Sequence, residues 1–180
     1  SLASRGLGVT VLEAGPTVGG KLGLFEHEGV EMDTGPSVFT LPEVLDRVLR
    51  RSGTSLADEL EMLRPDLAFR YRFPDGAVFD VYRDPAATVE SAAAAFGQKA
   101  AKELSRFLDY ARGIWDASRD TFVFGKPPRG RDMPFLFAKN PFAVMKVDPL
   151  RTMADAVHEK VKEPRLRDVL LRYATYNGSS

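Results

Sequence analysis

An apolar run that ends on an acid, followed by paired glycines and a base, constrains this chain more than any other stretch. Val9-Thr10-Val11-Leu12 leads into Glu13, and a short loop then closes on Gly19-Gly20 and Lys21. The pattern reads as the second strand of a dinucleotide-binding βαβ unit. There the acid at the carboxyl end of the strand accepts a hydrogen bond from a ribose hydroxyl of the cofactor's AMP half. Ser1 to Gly6 reads as the last turn of a helix, with Gly6 or Gly8 as its left-handed stop. In such a unit the glycine-rich phosphate loop lies about 20 residues before the acid, roughly seven residues upstream of Ser1. The expectation is therefore a piece of a longer chain that begins inside a helix. A V-x-V-x-E strand followed by glycines also occurs in many α/β proteins, so the segment alone leaves a nucleotide site and an ordinary strand both open.

Composition narrows the classes. The 180 residues suffice for one domain or parts of two. With 44% hydrophobic and 28% charged residues the chain should be globular. Lys+Arg and Asp+Glu are 25 each, so overall charge gives no reason to expect nucleic acid as a partner. The absence of cysteine removes disulfides, thiolate metal sites and cysteine nucleophiles, and fits a reducing compartment. The two histidines, His27 and His158, read as ordinary surface or satisfied residues, and no metal site is expected. No apolar run approaches the ~18 residues that span a bilayer.

Further along, residues 24–33 read as a short hairpin turning at Glu28-Gly29. It leads into Asp33-Thr34-Gly35-Pro36-Ser37, where Gly35 lets backbone approach a flat ligand and Pro36 stiffens the turn; a plain loop is the alternative. Thr40 and Glu43 have capping-box spacing. The helix they begin carries Leu41, Val44, Leu45, Val48 and Leu49 on one stripe and stops at Gly53, with Arg47, Arg50 and Arg51 as solvated charge. Phe69 to Phe73 and Ala77 to Tyr82 alternate as strands around a Pro74-Asp75-Gly76 turn. Asp84-Pro85 begins a helix that runs to about Phe96. A longer helix carries Leu104, Phe107, Leu108, Ala111, Ile114 and Trp115 on a face read as core.

After a Pro- and Gly-rich break at residues 126–131, two apolar clusters follow, Met133 to Ala138 and Pro141 to Met145. From Lys126 to Arg151 six bases (Lys126, Arg129, Arg131, Lys139, Lys146, Arg151) face two acids (Asp132, Asp148), a local excess of four positive charges. Bases interleaved with Phe, Leu and Met suit the headgroup boundary of an anionic membrane, or a helix packed on its own domain with its bases in solvent. Two helices close the chain, Thr152 to Val161 and Pro164 to Tyr176, the second with Leu166, Val169, Leu170 and Tyr173 on one stripe. No paired-carboxylate spacing and no Ser-His-Asp order is present, so no catalytic residue is assigned.

Taken together, VTVLEAGPTVGGK, VEMDTGPSVFTLPEVL and PRLRDVLLRYATYNGSS resemble the bacterial phytoene desaturase family of flavoprotein carotenoid desaturases. Their order and spacing match the family's amino-terminal third to half, most weakly at residues 84–131. Glu13 with Gly19-Gly20-Lys21 alone is common to many flavin amine oxidases; DTGPSV and RYATYNGSS add the specificity. PLRTMADAV and the final segment resemble the branch that acts on hydroxylated or methoxylated neurosporene-type carotenoids as 1-hydroxycarotenoid 3,4-desaturases.

The resemblance implies FAD. Glu13 would hold the AMP ribose, Gly20 and Lys21 would lie along the ADP and pyrophosphate, and Gly35, Pro36 and Ser37 would run near the flavin. It implies removal of two hydrogens from a polyene C–C bond. The expected fold is α/β: a partial FAD-binding Rossmann-like βαβ unit in residues 1–40, then an α+β substrate-binding and helical domain in residues 41–180, incomplete at both ends. The expected partners are a carotenoid and, through the Lys126 to Arg151 segment, the surface of the inner membrane from the cytoplasmic side, with no nucleic acid. Retention of FAD by these residues alone should be weak. Two other readings stay open: a different flavin oxidoreductase on the same fold, such as an amine oxidase or protoporphyrinogen oxidase relative, and a non-enzymatic escort for prenylated partners.

Overall fold

The computed structural model describes residues 2–35, 39–126, 129–132, 134–135, 138 and 141–177. These residues form a mixed α/β chain with two compact units, Ser1–Arg64 and Pro65–Ser180. The division drawn at residue 40 from sequence separates a cofactor role from a substrate role, which compactness does not address.

In the amino-terminal unit a 3₁₀ turn, Ala3–Arg5, is closed by Gly6, whose N–H donates to the Ala3 carbonyl at 2.9 Å. Residues 9–12 were expected as a strand and are not one: no described segment pairs with them, and Leu12 is 92% exposed. A β-strand exists only where a neighbour takes up its backbone donors and acceptors, and an apolar run cannot supply that by itself. The hairpin is as read. Strands β1 (Leu24–His27) and β2 (Val30–Asp33) pair antiparallel, with Leu24 opposite Asp33 and His27 opposite Val30. Glu28 at φ 49° and Gly29 at φ 78° form a turn of the primed kind, whose twist matches the flanking strands.

Helix α1 (Pro42–Arg50) starts one residue later than its capping box requires. Leu41, at φ 53°, is the N-cap, and no side chain caps this end. The residue before a proline is disfavoured in the right-handed helical region, so Leu41 cannot serve as the first helical residue and Thr40 falls outside the cap. A complete capping box forms instead at α2 (Leu56–Glu59), between Ser55 and Asp58. Asp46 joins the two helices: Oδ1 accepts from Leu56 N–H at 2.9 Å and Oδ2 from Arg50 Nε at 2.6 Å. Arg50 is therefore paired rather than simply solvated.

The carboxy-terminal unit is built on a second hairpin, β3 (Leu67–Arg72) and β4 (Val78–Tyr82), with a register shift between Leu67 and Phe69. Arg70 donates to both carboxylate oxygens of the buried Asp80, at 2.7 and 2.8 Å, and this pairing holds the Asp80 carboxyl below the usual range. Helix α3 (Pro85–Phe96) begins at Asp84, whose side chain accepts from Ala86 N–H at 3.1 Å, and α4 (Gln98–Ser118) follows after Gly97. A π-helical turn (Arg119–Val123), α5 (Pro141–Lys146), α6 (Met153–Lys160) and α7 (Pro164–Leu171) complete the unit, with a 3₁₀ segment (Arg172–Asn177) after α7.

The apolar faces converge on one core. Phe79 of β4, Leu104 and Phe107 of α4, Val157 of α6 and Leu166, Val169 and Leu170 of α7 are all buried in one cluster. Buried Glu103 accepts from Lys162 N–H at 2.8 Å and so satisfies the backbone at the α6–α7 link. Truncating Leu104, 2% exposed, to alanine should lower stability by about 2–5 kcal/mol through lost burial and a residual cavity. Denaturant unfolding followed by circular dichroism checks this. The more exposed Val78→Ala on β4 serves as control and should change stability by less than about 0.5 kcal/mol.

Candidate functional site

Two places in the chain bring functional residues together, one in each compact unit. The first is a glycine turn. Gly19 (φ 123°) and Gly20 (φ 57°) both adopt left-handed backbone that residues with a side chain rarely enter. The Leu22 N–H donates to the Gly19 carbonyl at 3.1 Å and closes the turn. The Thr34 N–H donates to the Gly23 carbonyl at 2.9 Å, adding a rung beyond the β1–β2 ladder. That rung carries Gly35 onto the turn: a Cβ placed there would lie 2.6 Å from the Lys21 carbonyl oxygen. Gly20, Lys21, Gly23, Thr34 and Gly35 consequently line one shallow, open depression.

Of the six cofactor-binding candidates, Gly20, Lys21 and Gly35 therefore share a surface. Glu13 does not line it; its Oε1 accepts from Gly15 N–H at 2.8 Å on an exposed loop. Pro36 and Ser37 lie outside the described residues. Main chain unobstructed by Cβ atoms, beside one lysine, suits an anionic or flat group that must approach the backbone closely. The residues present thus fit part of a nucleotide cofactor.

The second place is an apolar cavity of about 510 Å³ in the carboxy-terminal unit. Its longest wall is the face of α4 that sequence assigned to the core. That assignment holds for Leu104 and Phe107, which are buried; Leu108, Ala111 and Ile114 are only half-buried and line the cavity. The physical reason is length. Twenty-one helical residues extend about 30 Å, farther than the elements packed on the first half of α4 reach. Phe79 and Val81 of β4, Met153 of α6 and Val169 of α7 supply other walls. The aromatic residues of β3 have a different role. The Arg172 guanidinium lies 5.7 Å from the Phe69 ring and donates to the Tyr71 hydroxyl at 2.8 Å, and Arg165 lies 4.7 Å from the Phe96 ring.

One wall of the cavity is polar. The Tyr110 hydroxyl donates to Asp148 Oδ2 at 2.6 Å, Arg151 Nε donates to the same oxygen at 2.7 Å, and Arg151 also pairs with Glu159. Lys160 Nζ sits 4.5 Å from the centre of the Tyr110 ring. Burial pushes the Tyr110 phenol up to about 12, aided by the hydrogen bond and charge of Asp148. Hydrogen bonds from Arg151 and Tyr110 hold the Asp148 carboxyl below the usual range. Sequence reasoning missed this cluster. It counted Arg151 among membrane-facing bases, whereas Arg151 is tied to two carboxylates. The available signal was the i,i+3 spacing of Asp148 and Arg151 just before the Thr152–Asp155 capping box. Among the described residues no group of three or more His, Asp or Glu side chains is placed to hold a metal ion.

The chain matches the family described as flavin containing amine oxidoreductase over residues 1–166. It is 33% identical over 176 residues to hydroxyneurosporene desaturase of Rhodobacter capsulatus, covering 98% of this chain and 36% of that protein. It is 31% identical over 179 residues to hydroxyneurosporene desaturase of Cereibacter sphaeroides, covering 99% and 36%. With 4,4'-diapolycopene oxygenase of Methylomonas sp it shares 28% over 180 residues, covering 100% and 36%. The chain thus spans 36% of the length of each of these relatives.

Two outcomes follow from this geometry. Gly35→Ala should displace the Lys21 carbonyl and move the amide resonances of Lys21, Leu22 and Gly23, whereas Gly8→Ala, with open space around it, should leave them in place. Spectrophotometric titration should show Tyr110 ionising near 12, and in Asp148→Asn its value should fall only in part, because burial, the larger cause, remains. Because the folded value lies above the unfolded one, the stability Tyr110 contributes is complete below about pH 10 and should be lost as pH rises toward 12.

Proposed function

We propose, because this chain belongs to the flavin containing amine oxidoreductase family, that it is part of an FAD-dependent carotenoid desaturase acting on a hydroxylated neurosporene-type substrate. The observation that carries this reading is the 33% identity to a hydroxyneurosporene desaturase across 98% of the chain. The apolar cavity supports it, since a polyene needs a long hydrocarbon wall and the Leu108, Ala111 and Ile114 face of α4 offers one.

In this reading residues 1–40 contribute to a Rossmann-like FAD-binding unit and the later residues to a substrate-binding and helical domain. Glu13 receives the AMP ribose; Gly15 N–H orients its carboxylate by binding Oε1, and Oε2 is left for a ribose hydroxyl. Gly20 and Lys21 run along the ADP and pyrophosphate, where the Lys21 ammonium offsets phosphate charge. Gly35, Pro36 and Ser37 approach the flavin. Bound FAD would supply the two-electron oxidation that turns a C–C single bond of the polyene into a double bond. The protein's own residues position the polyene and exclude water from the reacting carbons.

The Lys126 to Arg151 segment is proposed to touch an anionic membrane surface at the cytoplasmic face of the inner membrane. Lys126, Arg129, Arg131, Lys139, Lys146 and Arg151 are the bases of that segment, and Arg151 is also engaged by Asp148 and Glu159. Among the described residues no helix is long and apolar enough to cross a membrane.

Expression of the complete open reading frame in cells that make neurosporene and 1-hydroxyneurosporene tests the reading through the pigment absorption spectrum. A red shift confined to the hydroxylated substrate is expected. A shift on neurosporene alone would reject the branch, bound flavin without a shift would point to another flavin oxidase, and absence of flavin would point to an escort. In the flavin-loaded protein, Glu13→Ala should weaken FAD retention about tenfold or more, measured by release of flavin fluorescence on dilution.

A further inference from the structure

The depression beside the glycine turn combines a charge and a hydroxyl on otherwise bare backbone. Among the described residues Gly20, Gly23 and Gly35 line it with main chain alone, Lys21 supplies the cation and Thr34 the hydroxyl. A ladder rung fixes that hydroxyl. Thr34 stands opposite Gly23, one step beyond the Leu24–Asp33 pair, and its N–H donates to the Gly23 carbonyl at 2.9 Å. Thr34 Oγ1 then leans across the rung onto Gly23, where an added Cβ would meet it at 2.7 Å, closer than unbonded atoms pack. Gly23 is not among the glycines at positive φ, so its backbone does not require glycine. What it provides is the empty side-chain position that the hydroxyl occupies. Thr34 is exposed, and its Oγ1 forms no hydrogen bond with a described residue. A β-branched side chain has few χ1 choices, so this hydroxyl is held in place before any ligand arrives.

We propose that Thr34 is a cofactor-binding residue whose hydroxyl hydrogen-bonds the ribityl chain of FAD, and that Gly23 is the positioning residue that makes room for it. This rests on the flavin reading above and adds a side-chain contact to it. In that reading Lys21 takes the pyrophosphate and Gly35 approaches the flavin. The depression contains both, and the part of FAD between pyrophosphate and ring is a chain of hydroxyls. A threonine hydroxyl donates one hydrogen bond and accepts others, which matches a polyol; the lysine, a cation with donors only, matches the phosphates. A cofactor that covers Thr34 strips the water from its hydroxyl, and the ribityl oxygens replace that water.

The test uses the protein from the complete open reading frame, freed of flavin and titrated with FAD by flavin fluorescence and with ADP by calorimetry. ADP lacks the ribityl chain and the ring. Thr34→Val keeps the shape and the backbone N–H but removes the hydroxyl. It should weaken FAD binding about three- to tenfold and leave ADP binding unchanged, and Thr34→Ser should recover most of the loss. Gly23→Ala, which pushes Oγ1 aside, should weaken FAD by a similar factor in the wild-type background and add little to Thr34→Val. Should Thr34→Val prove unfolded by circular dichroism, Gly23→Ala decides through the same comparison of FAD with ADP. Unchanged FAD affinity in Thr34→Val would overturn the proposal while leaving the flavin reading intact. Equal losses for FAD and ADP would move the contact off the ribityl chain and overturn it too. An equal effect of Gly23→Ala in both backgrounds would overturn the positioning role of Gly23. A wild-type protein that takes up no FAD would sink the flavin reading together with the proposal.

Discussion

Burial of Phe79, packed against α3 and within the core it shares with α4, α6 and α7, is the interaction on which the larger unit depends. Its ring is 1% exposed and lies 5.5 Å from Phe96 and 6.2 Å from Tyr71. Without a hydrophobic partner the β3–β4 hairpin would be a two-stranded ribbon, marginal in water. With Leu104, Val157 and Leu166 packed on it the hairpin becomes one wall of a core. The same packing defines the cavity. Phe79 and Leu104 belong both to the core and to the cavity lining, so the space begins where the close packing of α4 ends.

Polar contacts then fix elements that the core alone leaves loose. Arg70 on the buried Asp80, its partner across the two strands, helps to hold their register. Glu103 reaches across 59 residues of sequence to cap the start of the α6–α7 link. Asp148, at φ 55° just after α5, gathers Tyr110 and Arg151 and so ties this segment to α4 and, through Glu159, to α6. The exposed members of such pairs contribute little individually. Their importance lies in geometry, because they hold ionised groups in fixed places, Asp148 and Arg151 among them at the wall of the apolar cavity.

The amino-terminal unit rests on a different principle. Among its described residues Leu56 is the one buried hydrophobic residue, so local backbone chemistry shapes them more than a core does. A tight turn at Glu28-Gly29 sets the hairpin, left-handed glycines at 19 and 20 set the loop, and the missing side chain of Gly35 lets the two meet. The β1–β2 pairing is therefore what brings Gly20, Lys21 and Gly35 to a common depression.

Sequence by itself determined the local features of this protein. The Glu28-Gly29 and Pro74-Asp75-Gly76 turns, the Asp84-Pro85 helix start and the apolar stripes of α4 and α7 were legible because propensity, capping and periodicity act over a few residues. The resemblance carried by VTVLEAGPTVGGK and DTGPSV pointed to the family, which the match over residues 1–166 bears out. Tertiary structure decided what depends on partners distant in sequence. It left residues 9–12 without a strand partner among the described residues, moved the start of α1 past Leu41, and divided one stripe of α4 between core and cavity. It also turned Arg151 from a surface base into half of a polar clip on Asp148. A hydrophobic or charged residue shows in sequence what it can contact; which contact forms depends on which neighbours the folded chain places within a few ångströms, and that no local pattern encodes.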